Sequence, residues 1–178
     1  MDPFRFIDIH AVDATGANLD GNEFSEEQVR QSALRILDSS PLCSIATVTA
    51  QGRAHINTAY FSYSEKLELY FWSHPQSLHC RSLSNNASMA VTVFSTQQPW
   101  GSPGQGVQLF GTCEATSESA AGEAERSYRM RFEGYENWKA TLKDDDLARQ
   151  YRFDVAAIRI LDEKNWGDVW VRASVLRQ

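Results

Sequence analysis

The sequence predicts a mainly β protein, an antiparallel barrel with flanking helices. Short alternating strands follow one another through tight turns, and helical patterns interrupt them only at intervals. The chain's 178 residues, 42% of them hydrophobic, suffice for one domain with a real core. No internal repeat, low-complexity tract or second domain is visible. The expected division is an acidic N-terminal arm over residues 1–24 and a single domain over 25–178.

Residues 1–24 lack periodicity, contain Gly16 and Gly21, and read as an extended arm or loop. Ser25-Glu26-Glu27-Gln28 matches a capping box, with Phe24 placed to staple onto Val29. Val29, Ala33, Ile36 and Leu37 then recur at helical spacing as far as Asp38, and Pro41 ends the helix. Strands follow over 42–50, 54–62 and 67–72, joined by Gln51-Gly52 and Ser64-Glu65-Lys66. A helix is expected over 75–83, stopping at Asn85-Asn86, then a strand over 88–96 with Met89, Val91 and Val93 on one face. Residues 97–106 carry Pro99, Gly101, Pro103, Gly104 and Gly106, a loop by composition. In the strand over 107–116, Val107, Leu109, Gly111 and Cys113 alternate against Gln108, Phe110 and Thr112. A helix over 119–132, an acidic loop at Asp144-Asp145-Asp146 and closing strands over 151–161 and 169–176 complete the chain.

Charge narrows the function classes. Residues 1–27 hold seven acids against Arg5 alone, so sixteen acidic and sixteen basic side chains remain and the net charge of -6 lies in the arm. A neutral body with scattered Lys and Arg has no basic field for nucleic acid. No apolar run is long enough for a membrane span, and no secretory signal opens the chain. Cys43, Cys80 and Cys113 are odd in number without a CxxC pair, which reads as buried thiols in a reducing, cytoplasmic setting with no metal cluster.

The richest stretch is Phe71-Trp72-Ser73-His74-Pro75-Gln76-Ser77-Leu78-His79-Cys80, where a strand pattern runs into a helical one. Pro75 suits a first helical turn, whose free N–H groups form an anion site that Ser73, Ser77 and His79 would extend. The alternative is a helix capped by Ser73 or His74 with no ligand.

This order of elements resembles the FMN-binding split barrel of the pyridoxamine 5'-phosphate oxidase-like superfamily, over roughly residues 27–176. The likeness rests on Ser44-Ile45-Ala46-Thr47-Val48, Gly52-Arg53-Ala54-His55-Ile56-Asn57, Leu69-Tyr70-Phe71-Trp72-Ser73, Ser77-Leu78-His79 and Val107-Gln108-Leu109-Phe110-Gly111. It implies a six-stranded antiparallel split β-barrel that forms a homodimer, with flavin in the groove between subunits. Asn57 and Thr58 fall where the oxidases place an arginine and its neighbour. Trp72 and Ser73 match an aromatic followed by a phosphate-binding hydroxyl residue, and Ser77, Leu78 and His79 fall on a Ser-Arg-Lys triplet. Trp166 and Arg172 keep the spacing of a C-terminal tryptophan and arginine that serve flavin and substrate, while Ser174 replaces a substrate histidine. Three basic phosphate contacts thus become Asn57, Leu78 and His79, and charge-assisted bonds are about twice as strong as neutral ones. The resemblance implies an FMN pocket weaker than an oxidase's, with His79, Arg81 and Arg53 as sources of compensating charge, and argues against a true pyridoxamine 5'-phosphate oxidase.

Other positions keep two readings. His55 shares a strand face with Asn57 but also suits a surface place beside its turn. Trp100, in the Pro/Gly-rich loop, is either a ligand contact at a mobile rim or simply exposed. Gln108 faces away from the core, toward either the partner's flavin or solvent. Trp72 and Trp170 suit packing as well as a pocket, and Arg129 and Arg131 suit an exposed helical face as well as an acidic substrate. No catalytic triad, paired-carboxylate signature or zinc spacing is evident, and no catalytic residue is assigned. The expected activity is flavin-dependent oxidoreduction of a small organic substrate. Its competitors are coenzyme F420 in place of FMN, a non-catalytic flavin- or haem-binding protein, and a barrel that has lost every cofactor.

Overall fold

The structure, a computed structural model, describes residues 2–143 and 147–178. The acidic loop expected at 144–146 lies outside the described residues.

Ser25 and Gln28 close the predicted capping box, with Gln28 N donating to Ser25 Oγ at 3.2 Å and Ser25 N donating to Gln28 Oε1 at 2.9 Å. They start α1 (Glu26–Asp38), whose Val29, Ala33, Ile36 and Leu37 are buried. Alternation then builds β2 (Leu42–Val48), β3 (Ala54–Tyr63) and β4 (Glu68–Ser73). In the β2–β3 turn Gly52 takes φ +73°, a left-handed conformation that glycine adopts without steric cost. After α2 (Leu78–Asn85) come β5 (Ser88–Phe94) and β6 (Gln105–Ala115). Two helices, α3 (Glu118–Arg131) and α4 (Tyr135–Ala140), precede β7 (Arg149–Asp162), the short α5 (Glu163–Trp166) and β8 (Trp170–Arg177).

β7 closes the barrel. One edge pairs with β6 from Gln105↔Asp162 to Ala115↔Tyr151, and the first half of the other edge pairs with β4. The ring β7-β4-β3-β2-β5-β6 is the six-stranded antiparallel barrel that the resemblance implied. The second half of β7, from Ala157 to Leu161, pairs instead with β8. β8 in turn pairs with β1 (Phe4–Val12), so part of the expected N-terminal arm is a strand with Phe4 and Phe6 in the core. Regular alternation is interrupted there at Asp8, which takes φ +51° beside a register shift between Ile7 and His10.

β3 and β4 pair only from Phe61↔Phe71 to Tyr63↔Leu69, whereas β3 pairs with β2 as far as Ala54. Residues 54–60 therefore part from the tip of β4, and this seam is the split. The core inside the barrel includes Ile45, Phe61, Phe71, Leu109, Phe153 and Ile158. A second cluster of Tyr70, Ala124, Tyr128 and Tyr135, with Trp72 and Phe132 against it, lies under α3 and α4. At the other end the buried Asp162 accepts from Ser32 Oγ at 2.5 Å, Gln105 Nε2 at 2.6 Å and Asn165 Nδ2 at 2.8 Å, and pairs with Arg35. It thereby ties α1, β6 and α5 to β7. No helix among the described residues is long and apolar enough to cross a membrane.

Candidate functional site: the β4–α2 corner and the seam beside it

β4 ends at Ser73 and the chain turns through His74-Pro75-Gln76, with Ser77 N donating to His74 O at 2.9 Å. Pro75 sits in this turn and not in the first helical turn. The cap is Ser77, whose Oγ accepts from Cys80 N at 3.4 Å; neither Ser73 nor His74 takes that role. His74 Nδ1 accepts from Gln76 N at 3.1 Å and so shapes the turn.

The three expected phosphate-side residues meet. Ser73 Oγ lies 2.7 Å from His79 Nε2 and 3.2 Å from Ser77 Oγ, and Ser77 Oγ lies 3.2 Å from His79 Nε2. His79 is buried, and its ring stacks parallel to that of His55 at 6.3 Å. His55 thus looks across the seam at α2. Next to this group is the buried Cys80. Burial opposes a thiolate there, yet hydrogen bonds with His79, Ser73, Ser77 and Tyr151 bring the thiol down to about 7. Two hydroxyls, an imidazole and a helix N-terminus already favour negative charge at this corner, which is the donor chemistry a phosphate requires. None of the three side chains carries a fixed cation, and Leu78, in the place of the triplet's arginine, is 45% exposed. The corner therefore gathers neutral donors and one imidazole, with no fixed cation among them.

Beyond the seam, Asn57, Thr58 and Trp72 line one pocket of about 450 Å³, within the range of small-molecule sites. Its other walls include Tyr60, Tyr128, Phe132, Tyr135 and Trp138. Trp72 and Trp138 meet edge to face at 5.4 Å, as do Tyr60 and Phe132 at 5.9 Å. Tyr135 and Trp138 went unremarked in the sequence. Their signal was an aromatic stripe at 128, 132, 135 and 138, broken by Glu133-Gly134.

The remaining candidates lie elsewhere. Gln108 is on the outer barrel face, in a row that runs Thr58–Ser44–Thr92–Gln108–Arg159–Arg172–His10 across seven strands. Arg172 donates to Asn18 Oδ1 at 3.2 Å, while Trp166 packs on Phe24 at 4.9 Å. Trp100 is fully exposed. Arg131 holds the end of α1 through Leu37 O at 2.7 Å and Ser40 O at 2.8 Å, and Arg129 pairs with Glu136. One apolar row, Ile56–Ala46–Ala90–Phe110, crosses the same outer face, with Ile56 69% and Phe110 43% exposed.

The family model for pyridoxamine 5'-phosphate oxidase matches residues 29–162, from α1 through the end of β7. The chain belongs to the pyridoxamine 5'-phosphate oxidase family. Solved structures repeat the fold at low identity. A haem-binding protein from Mycobacterium smegmatis aligns with TM-score 0.63 and 14% identity, covering 78% of this chain but only 55% of its own. General stress protein 26 from Bacillus anthracis aligns with TM-score 0.58 and 14% identity over 84% of this chain and 98% of its own. HutZ, the haem storage protein of Vibrio cholerae, gives 0.55 and 16% over 73% and 89%. No curated protein matches the sequence significantly. Within this pyridoxamine 5'-phosphate oxidase family member, the likeness to solved structures establishes the barrel and leaves the ligand to the site's own chemistry.

Proposed function

We propose that the chain is one subunit of a homodimeric, cytoplasmic FMN-binding oxidoreductase acting on a small flat organic substrate. The observation that carries this reading is the convergence of Ser73, Ser77 and His79 within 3.2 Å of one another at the α2 N-terminus. Their donors would turn from each other to the flavin phosphate. Asn57 and Thr58, at the seam, would line the ring. When bound, FMN supplies hydride and electron transfer, so the protein's task is to place and shield it. Gln108, Trp100, Trp166 and Arg172 would serve from the second copy. The three free buried cysteines accord with a reducing compartment.

The spectrum of natively purified protein, with mass spectrometry of any released small molecule, tests the cofactor. Released FMN supports the reading, whereas F420, a haem Soret band or a colourless protein overturns it. A hydrogen bond to a charged group is worth about 1.5–3 kcal/mol. Ser73→Ala and His79→Ala are therefore each expected to weaken FMN binding at least about tenfold by fluorescence titration. Unchanged affinity in both would remove the corner from the site.

In this reading the dimer would bury the outer face, a placement supported by its exposed apolar row. An exposed apolar row of this kind marks an interaction face. The double variant Ile56→Arg/Phe110→Arg is expected to move the sedimenting species from twice the chain mass to 20.1 kDa. A variant that sediments as the parent does would place the contact elsewhere.

A further inference from the structure

We infer that the aromatic pocket between β3, β4 and the α3–α4 pair takes a flat, uncharged aromatic molecule bearing an oxygen substituent, and rejects a phosphorylated one. This rests on the reading above that Asn57 and Thr58, which line this pocket, face the flavin ring, and it names the class of substrate that would stack there.

Polar atoms in and beside the pocket define the oxygen. Trp72 Nε1 and Tyr135 Oη are buried without a hydrogen-bond partner, and Glu125 Oε2 behind them lacks one too, although it lies 3.9 Å from Arg129 Nη2 in an ion pair. Tyr135 is only 3% exposed, and its hydroxyl approaches both Glu125 and Trp72 without a well-formed bond to either. Buried polar groups are rarely left unpaired, because each costs about 1–3 kcal/mol. An indole N–H that can only donate, a hydroxyl that does both and a carboxylate oxygen that can only accept suit one hydroxyl oxygen among them.

Charge defines what is excluded. No cationic side chain lines the pocket. The nearby cations on α3 and α4 are already paired: Arg131 at the end of α1, Arg129 on Glu136 and, at 3.9 Å, on Glu125 Oε2, Arg126 on Glu123 at 3.1 Å, and Lys139 on Glu125 Oε1 at 2.6 Å. A phosphate dianion would meet aromatic walls, with Lys139 and Arg129 already committed to the Glu125 carboxylate. Faces and edges of Trp72, Trp138, Tyr60 and Phe132 offer instead the stacking that two fused rings accept.

A matched pair of probes tests the inference: 2-naphthol and 2-naphthyl phosphate, titrated calorimetrically into the full chain as purified. Naphthol is expected to bind at least tenfold tighter than its phosphate ester. Tyr135→Phe is expected to weaken naphthol about tenfold while leaving the thermal midpoint unchanged or raised, because it deletes an unpaired buried hydroxyl. Equal or tighter binding of the ester overturns the inference, as does naphthol affinity indifferent to Tyr135→Phe or no naphthol binding at all. Heat of binding is read whether or not the protein carries flavin. A colourless protein that binds naphthol thus refutes the cofactor reading alone, and a flavoprotein that prefers the ester refutes this inference alone.

Discussion

Replacing Gly111 by alanine is expected to lower stability by about 3 kcal/mol, near the upper end for a forced core insertion. Gly111 sits where β6 meets β7 at a register shift, pairing with Val155 just after Phe110 pairs with Ala157. A Cβ added there would lie 1.9 Å from Asp154 O and 2.9 Å from Asp154 C. Both are backbone atoms of the strand that closes the barrel, so no side chain can swing aside to make room. For a domain of this size the loss corresponds to roughly 10 °C in the thermal midpoint. Gly122→Ala supplies the contrast, since nothing lies within 4 Å of its added Cβ. In the interior of α3 it should raise stability by about 0.5–1 kcal/mol. Chemical denaturation of the two variants checks both signs; a Gly111→Ala protein as stable as the parent would mean that the two strands are not so closely apposed.

Asp162→Asn is expected to cost about 2–3 kcal/mol at neutral pH, through weakened bonds to Ser32, Gln105 and Asn165 and the lost pairing with Arg35. Arg35 is 45% exposed and rehydrates, which keeps the cost below that of stranding a buried charge. Burial raises the Asp162 carboxyl, but hydrogen bonds from Ser32, Asn165 and Gln105, with the Arg35 charge, hold it below the ordinary value of 3.8. A carboxyl depressed in the native state binds fewer protons there than when unfolded. Its stabilisation is complete above the unfolded value and is lost as pH falls through the native one. The gap between parent and variant should therefore be constant near neutrality and begin to close below about pH 3.8. Urea midpoints of both proteins across that range measure it, and a gap that widened in acid would contradict the sign.

What the chain revealed in advance follows from how local each determinant is. The capping box at Ser25–Gln28 is a four-residue feature, and α1 starts where it says. Barrel strands were legible because alternation and short turns are also local, down to Val107, Leu109 and Cys113 facing inward on β6. The corner's members were legible as well, although the cap was not, because Pro75 fits a turn as well as a first helical turn. β1 escaped notice because its partner β8 lies more than 150 residues away and Asp8 interrupts its alternation. The aromatic pocket escaped for a similar reason. Tyr60 and Trp72 join Tyr128, Phe132, Tyr135 and Trp138 only once α3 and α4 fold over the seam.

That seam leaves backbone groups of residues 54–60 without a neighbouring strand on one side, a template to which a foreign chain can add. The molecule guards the opening with a lid of rings rather than with lysines or a proline. Tyr128 Oη donates to Tyr60 O at 2.9 Å, and Phe132 closes edge to face on the Tyr60 ring. The pocket walls and the protection against runaway β-addition thus share one set of side chains, so a redesign that empties the pocket would also unseal a sticky edge.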